Sequence, residues 1–300
     1  MGLRLKTKGN VTFYVLLIPS LLVFGTFFFV VGTVAYNAYP AFEKIGLSIY
    51  TTNVWDPNND RYGGLGAIYG TLVVGTLALV FSIPVSIAMA IFVNDIAPPR
   101  LREVFVNLTD LLASFPTVVY GFWGLYVLGP FLSQTLFTFL YDNLSFIPLF
   151  STSPAGGPSF LLASIVLSLM ITPFATSIIR ETYAQVPKSL EEAVYALGLS
   201  RWELFRIKLG YVKRAFLGAY ALAFGRGVGE TVAVSLTVGN VLNITPSLLA
   251  PGYTISSLIV NQFGTAFGLQ YYALFALGLF LVIIGLAFIA LSRLFLRWYE

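Results

Sequence analysis

Six stretches of predominantly apolar residues divide this chain and constrain its fold more than any other feature. A helix needs about 20 such residues to cross the hydrocarbon core of a bilayer. The stretches cover approximately residues 11–36, 66–93, 105–132, 159–179, 215–241 and 271–291. Only 10% of the residues are charged, whereas a soluble domain carries about 25%. The sequence therefore predicts an all-α integral membrane protein, a single domain over residues 1–300 with six transmembrane helices.

The residue types that are missing exclude most enzyme classes. The chain has no cysteine and no histidine, so thiolate metal sites, Ser-His-Asp triads and histidine-ligated metals are excluded. It also lacks the G-x-x-x-x-G-K-S/T loop that holds nucleotide phosphates. We therefore expect no catalytic residue, no metal and no cofactor in this chain. The remaining classes are a transporter, a channel and a scaffold protein.

The distribution of basic residues predicts the orientation of these helices. With the N-terminus inside, 14 of the 17 basic residues fall in segments on the cytoplasmic side: 1–10, 94–104, 180–214 and 292–300. Cytoplasmic loops of membrane proteins carry an excess of Lys and Arg, so both termini are predicted to be cytoplasmic. The long apolar run after Arg4, Lys6 and Lys8 indicates an uncleaved signal anchor.

The 180–214 segment predicts a helix with marked ends. Ser189 and Glu192 have the spacing of a capping box, so a helix is expected to begin near Leu190. Gly198 is expected to end this helix, since glycine adopts the left-handed conformation that helix C-termini favour.

A second capping box predicts a second helix in this segment. It is formed by Ser200 and Glu203, and the helix is expected to end near Gly210. One face of the first helix is predicted to be apolar, through Leu190, Val194 and Leu197. Two interpretations remain open: an amphipathic loop on the membrane surface, or a rigid helix pair to which a soluble partner protein binds.

The amino-acid sequence of the 180–214 segment resembles a known element. Residues 192–198, EAVYALG, followed by 200–206, SRWELFR, are similar to the EAA loop of binding-protein-dependent ABC importers. The resemblance implies a type I ABC importer permease fold whose coupling helices sit in grooves of the ATPase subunits. The residues that it assigns to ATPase coupling are Leu190, Glu192, Ala193, Leu197, Gly198, Arg201 and Trp202.

Three further segments resemble the permeases of phosphate importers. They are residues 114–121 (SFPTVVYG), residues 225–231 (GRGVGET) and the first outer loop, 55–72, which is similar to that of PstC-type subunits. The resemblance implies a PstA-type second permease, two PstB-type ATPase subunits that bind ATP and Mg²⁺, and an extracytoplasmic PstS-type phosphate-binding protein. It also implies the inner or plasma membrane of a prokaryote.

Two ionisable residues lie deep in the fifth apolar stretch, Arg226 and Glu230. A charge at the bilayer centre costs about 2.5–3.5 kcal/mol, so such residues usually have a function. Four residues apart on one helix, they would share a face. That face would continue through small or polar residues, as a pathway lining would: Ala219, Ala223, Ala233, Thr237 and Asn240.

Two interpretations of this pair are open. The charges form a structural ion pair between helices, or each contacts the transported anion. In the second case Arg226 donates two hydrogen bonds to a tetrahedral oxyanion. Glu230 accepts the hydroxyl of a phosphate, which sulfate lacks. Ser114, Thr117 and Tyr120 are further candidates for the pathway, although hydroxyls beside Pro116 can instead bond to carbonyls that the proline frees.

We therefore predict the permease subunit of an ATP-driven phosphate importer. The nearest alternatives are a permease for sulfate, molybdate or another oxyanion, and the PstA-type subunit. A self-sufficient secondary transporter would leave the predicted helix pair of the 180–214 segment unexplained, and the chain lacks evident inverted repeats. The outer loop 243–269 is predicted to contain a short helix that begins near Thr254 and serves as a gate, a contact for a binding protein, or a passive surface element.

Overall fold

A computed structural model describes residues 8–154 and 156–297, so Arg4 and Lys6 of the predicted signal anchor lie outside the described residues. Its helices and strands in chain order are α1 (Lys8–Lys44), α2 (Ser48–Thr51), β1 (Trp55–Asp56), β2 (Arg61–Tyr62), α3 (Leu65–Ile91), α4 (Pro99–Ser114), α5 (Thr117–Trp123), α6 (Gly129–Leu132), α7 (Thr138–Leu144), α8 (Phe160–Ala184), α9 (Lys188–Ala196), α10 (Arg201–Val228), α11 (Val232–Thr237), α12 (Ile255–Gln262) and α13 (Leu269–Arg297). The strands β1 and β2 form an antiparallel hairpin that pairs Trp55 with Tyr62 and Asp56 with Arg61. Wider, π-helical turns join α5, α6 and α7 and extend α3 to Ile96.

Four helices within the described residues are long and apolar enough to cross a membrane. They are Phe13–Lys44, Leu65–Ile96, Phe160–Ala184 and Leu269–Ser292. They coincide with the first, second, fourth and sixth predicted stretches. Pro84 and Pro173 lie inside two of these helices without ending them. The mostly helical architecture is therefore confirmed, and four of the six predicted stretches form helices that could span a membrane.

The third predicted stretch, 105–132, is not one straight helix. α4 ends at Ser114, and the helical segment Thr117–Leu144 leaves it at 90°. Pro116 explains the bend, because proline forces the preceding residue out of the helical region. Phe115 accordingly has φ −62° and ψ 137°, an extended conformation. The third stretch is therefore not a straight helix, and it counts as one span only if both arms of the bent pair are taken together.

The fifth predicted stretch, 215–241, differs in a similar way. α10 begins at Arg201, passes through Gly210 without a break and ends at Val228. The second short helix and the start of the fifth span are thus one continuous helix, and the predicted end near Gly210 was wrong. The helix continues because a buried stripe at helical spacing runs through this region: Leu204, Lys208, Val212 and Phe216.

The core of the molecule lies where α3, α8 and α10 pack together, with α13 against α10. Two small residues, Ala223 and Ala175, are fully buried here and let the helices approach closely. A second cluster joins the end of α1 to α12 and α13. The first half of α1 extends beyond this packing, and its apolar side chains are exposed, Phe24 to 63%.

Candidate functional site

The helix α10 ends two residues after Arg226, the first of the two charged residues that the sequence singled out. Arg226 lies in the last turn of α10, whereas Glu230 lies in the break between Val228 and Val232, where α11 begins. The amide of Glu230 still donates to the carbonyl of Gly227 at 3.0 Å, which closes the last turn. The prediction that Arg226 and Glu230 share one face of a continuous helix was therefore wrong.

The guanidinium of Arg226 is on the surface of this chain. Its central carbon lies 5.3 Å from the centroid of the Phe174 ring on α8, a cation–π distance. A cation in the last turn of a helix also interacts favourably with the helix dipole. Within the described residues, Arg226 and Glu230 form no ion pair with each other.

Glu230 connects the break to two neighbouring helices. Its carboxylate Oε1 accepts a hydrogen bond from the amide of Ala233 in the first turn of α11, at 3.3 Å. Its carbonyl accepts a bond from the hydroxyl of Ser256 on α12, at 2.8 Å. The predicted outer-loop helix is therefore present as α12, capped by Thr254, and it is bonded directly to the break.

The other membrane motif, 114–121, packs against this break. α5 lies on α11, and a Cβ added to Gly121 would come within 2.9 Å of the Ala233 Cα. Thr117 is the first residue of α5. The hydroxyl of Ser114 donates to the Asp110 carbonyl at 2.8 Å, and that of Tyr120 donates to the Leu112 carbonyl at 3.0 Å. These two hydroxyls therefore bond to backbone carbonyls near Pro116.

The row of small residues that was expected to continue the Arg226 face lies in the interior. Thr237 is fully buried and donates to the Ala233 carbonyl at 2.7 Å. Ala219 and Ala223 are also buried, because α10 is enclosed by α3, α8 and α13. Their burial within one chain does not favour a pathway role for this row, Thr237 included, and leaves Arg226 as its exposed member.

The 180–214 segment forms α9 and the start of α10. α9 begins at Lys188, two residues earlier than the Ser189–Glu192 capping box requires, and Pro187 occupies the N-cap position with no side-chain cap. That box was therefore predicted wrongly. The C-terminus is confirmed: Gly198 has φ +74°. Its amide donates to Tyr195 at 3.0 Å, and the next amide donates to Val194 at 3.2 Å, a Schellman motif.

The second capping box is confirmed. Ser200 accepts the backbone N–H of Glu203 and the Glu203 carboxylate accepts the backbone N–H of Ser200 at 2.7 Å. The pKa of Glu203 is lowered by this backbone hydrogen bond first and by the Ser200 hydroxyl second. Both bonds favour the charged carboxylate, which holds the start of α10 in place.

The residues assigned to coupling divide into an inner and an outer set. Leu190 packs against the main core beside Val194, which is 3% exposed. Leu197 is 77% exposed, because the helix ends at Ala196 and the chain turns away there, so it does not share the burial of Leu190 and Val194. Trp202 is 74% exposed. The remaining members are also exposed: Glu192, Ala193, Gly198 and Arg201.

A buried ionic cluster beneath α9 was missed by the sequence analysis. The ammonium Nζ of Lys208 donates to Asp95 Oδ1 at 2.8 Å and to Glu191 Oε2 at 3.0 Å. The Tyr183 hydroxyl donates to the other Asp95 oxygen at 2.5 Å. Burial lowers the pKa of Lys208, but the hydrogen bonds to Asp95 and Glu191 outweigh it, so the pKa is raised overall.

The signal for this cluster was present in the sequence. Leu204, Lys208 and Val212 are spaced by four residues and are all buried. A lysine within an apolar stripe is almost never buried without a partner of opposite charge. Lys208 was counted only among the basic residues that orient the chain, although its position in the stripe indicated a buried carboxylate partner.

Comparisons with known proteins agree with this architecture. Residues 82–300 match the family described as binding-protein-dependent transport system inner membrane component. A probable phosphate transport system permease protein PstC of Methanocaldococcus jannaschii is 43% identical over 296 residues, which cover 96% of this chain and 94% of the relative. PstC permeases of Xylella fastidiosa and Pasteurella multocida are 40% and 34% identical, covering 85% and 90% of this chain and 80% and 86% of the relatives.

Solved structures share the fold at low sequence identity. A bacterial ABC transporter involved in the import of the acidic polysaccharide alginate matches with a TM-score of 0.57 and 17% identity, over 97% of this chain and 96% of that one. The MetNI methionine ABC transporter in an inward-facing conformation matches with a TM-score of 0.53 and 15% identity, over 79% and 94%. The fold is therefore that of ABC importer permeases.

Proposed function

Because the chain belongs to the family of binding-protein-dependent transport system inner membrane components, and within it to the PstC-type permeases, we propose that it forms part of the transmembrane pathway of an ATP-driven phosphate importer. It is a multi-pass membrane protein and the permease subunit of a phosphate ABC transporter. Other subunits of the system bind and hydrolyse ATP. The substrate is inorganic phosphate.

The assignment of this chain to a phosphate pathway depends on one observation, the exposed guanidinium of Arg226 at the end of α10. A charged side chain in an apolar segment is costly unless a partner or water compensates it. Glu230 does not compensate it within the described residues. A tetrahedral oxyanion that accepts two donors of the guanidinium fork supplies that partner.

Glu230 provides the selectivity in this proposal. Its carboxylate is half-buried and bonded on one oxygen to the Ala233 amide. The other oxygen accepts a proton-bearing hydroxyl of phosphate. Sulfate has no such proton at neutral pH, so it would leave this acceptor unpaired and be rejected. Thr117, at the start of α5, is the remaining hydroxyl candidate beside the break.

The 180–214 segment contacts the ATPase subunits in this proposal. Leu197 and Trp202 are large apolar side chains that are 77% and 74% exposed, and they form an outward surface around Gly198. In the proposed topology the chain crosses the membrane six times, both termini are cytoplasmic, and this surface faces the cytoplasm. The partners are a PstA-type permease, two PstB-type ATPase subunits that hold ATP and Mg²⁺, and a PstS-type phosphate-binding protein.

The transport cycle follows from these contacts. ATP binding draws the ATPase subunits together and moves the 180–214 segments of the two permeases with them. The break at Glu230 is bonded to α12 through Ser256, so movement of α10 also displaces the outer helix. The pathway opens outward, accepts phosphate from the binding protein, and returns to the inward state after hydrolysis.

Uptake by assembled variants tests the roles of Arg226 and Glu230. Arg226→Lys replaces a bidentate fork by a point charge, so most phosphate uptake should be lost in complexes that still hold the ATPase. Glu230→Gln should lower uptake and narrow the preference for phosphate over sulfate. Arg100→Lys is the matched control, since Arg100 is an exposed arginine on α4. Wild-type transport in an Arg226→Ala, Glu230→Ala double variant would show that neither charge is needed to bind the transported anion.

A further inference from the structure

Four elements of the chain meet at the Lys208 ammonium. Lys208 belongs to α10, Asp95 to the π-helical end of α3, Glu191 to α9 and Tyr183 to α8. The ammonium bonds to both carboxylates, and Tyr183 bonds to the second oxygen of Asp95. The ammonium also lies 5.5 Å from the centroid of the Tyr183 ring. A displacement of any one element must therefore stretch bonds to the others.

The two ion pairs that Lys208 forms with Asp95 and Glu191 differ in burial. The side chains of Lys208 and Asp95 are 8% and 12% exposed, whereas that of Glu191 is 40% exposed. A buried pair with additional hydrogen bonds is costly to break. A pair at the rim is screened by water and contributes less. The Lys208–Asp95 pair therefore holds α10 to α3, and the Lys208–Glu191 pair is the weaker link to α9.

The position of Lys208 along α10 connects its ion pairs to Arg226, at the break between α10 and α11. α10 is one uninterrupted helix from Arg201 to Val228. Lys208 and Arg226 are separated by 18 residues of this helix, which corresponds to about 27 Å. A rigid helix transmits displacement along its length. A movement that enters at Lys208 thus reaches Arg226 at the break.

We propose that Lys208 is a positioning residue that fastens the coupling helix α9 to α10, α3 and α8, and that its bond to Glu191 passes the movement of α9 to the membrane helices. This inference rests on the proposed function, because it assumes that the ATPase subunits move α9. Leu190 packs against the core and Val194 is buried, and such apolar contacts tolerate sliding, whereas the ion pair fixes the position of α9.

Glu191→Gln tests the inference most selectively. It removes the only α9 charge that pairs with Lys208 within the described residues and leaves the Lys208–Asp95 pair in place. In reconstituted complexes that retain the ATPase, phosphate transported per ATP hydrolysed should fall at least about fivefold. Glu181→Gln is the matched control: Glu181 is exposed near the end of α8, forms no ion pair within the described residues, and should leave the ratio unchanged.

A double variant separates transmission from folding. Lys208→Met alone leaves the buried Asp95 carboxylate unpaired and destabilises the chain. Combination with Asp95→Asn removes both charges, and the complex should assemble while the transport-to-hydrolysis ratio stays low. A wild-type ratio in Glu191→Gln or in the assembled double variant would overturn the inference. Failure of the wild-type complex to import phosphate would instead overturn the proposed function.

Discussion

Replacement of Gly198 perturbs the junction between α9 and α10 through the backbone alone. Gly198 has φ +74°, and no atom lies within 4 Å of an added Cβ, so Gly198→Ala introduces no clash. The cost is the left-handed conformation, about 1–2 kcal/mol for a residue with a Cβ. This energy corresponds to a roughly 5- to 30-fold increase in opening of the Schellman motif. Gly198→Asn should be milder, since asparagine tolerates this conformation.

Gly210→Ala provides a control with the opposite sign. Gly210 also has no atom within 4 Å of an added Cβ, but it lies inside α10, where alanine is favoured over glycine by about 1 kcal/mol. Hydrogen exchange of the Leu199 amide, which bonds to the Val194 carbonyl, reports opening directly. Exchange should accelerate in Gly198→Ala only, and phosphate-stimulated ATP hydrolysis should fall with it. Equal exchange in the two variants would refute the argument from backbone strain.

Three further perturbations test separate parts of the account. Ser200→Ala removes the N-cap of α10 and should destabilise its first turn by about 1 kcal/mol. Amide hydrogen exchange in that turn should therefore be faster. Ser189→Ala removes no cap and should leave amide exchange unchanged. Because the chain has no native cysteine, a cysteine at position 189 should react only with reagents that reach the cytoplasm, and one replacing Asn58 only from outside; the reverse pattern would contradict the orientation. The pKa of Lys208 is raised in the folded state, so its stabilising effect is complete below the ordinary lysine pKa of 10.5 and is lost as pH rises through the higher folded value. Thermal stability of the wild type should therefore fall in that alkaline range more steeply than that of the Asp95→Asn, Lys208→Met variant, and parallel curves would contradict the assignment.

Long apolar stretches were predictable because their length reflects the thickness of the bilayer. Capping residues also marked the start of α10 at Ser200 and the C-terminus of α9 at Gly198. The bend at Pro116 was less predictable. Proline inside a membrane helix is compatible with a mild kink, as at Pro84 and Pro173, or with a 90° break. Tertiary packing of α5 on α11 decides between them, and a single sequence does not contain that contact.

The candidate site around Arg226 and Glu230 could likewise be predicted only in part from the sequence. Residues 225–231 pointed to Arg226 and Glu230, but helical spacing alone placed both on one face. Three glycines surround Arg226 in this segment, and they lower the helical preference enough for the helix to end at Val228. The Lys208 cluster joins Asp95 to a residue 113 positions away in sequence. Such a long-range pair depends on the packing of α3 against α10, which the sequence analysis did not predict.

Uptake of radiolabelled phosphate into proteoliposomes tests the central claim most directly. The chain is reconstituted with its second permease and ATPase subunits, and the phosphate-binding protein is supplied outside. We predict uptake that requires ATP inside the vesicles and this chain in the membrane, and that excess sulfate or molybdate does not reduce. Uptake driven by an ion gradient without ATP, or a carrier that takes sulfate as readily as phosphate, would contradict the account.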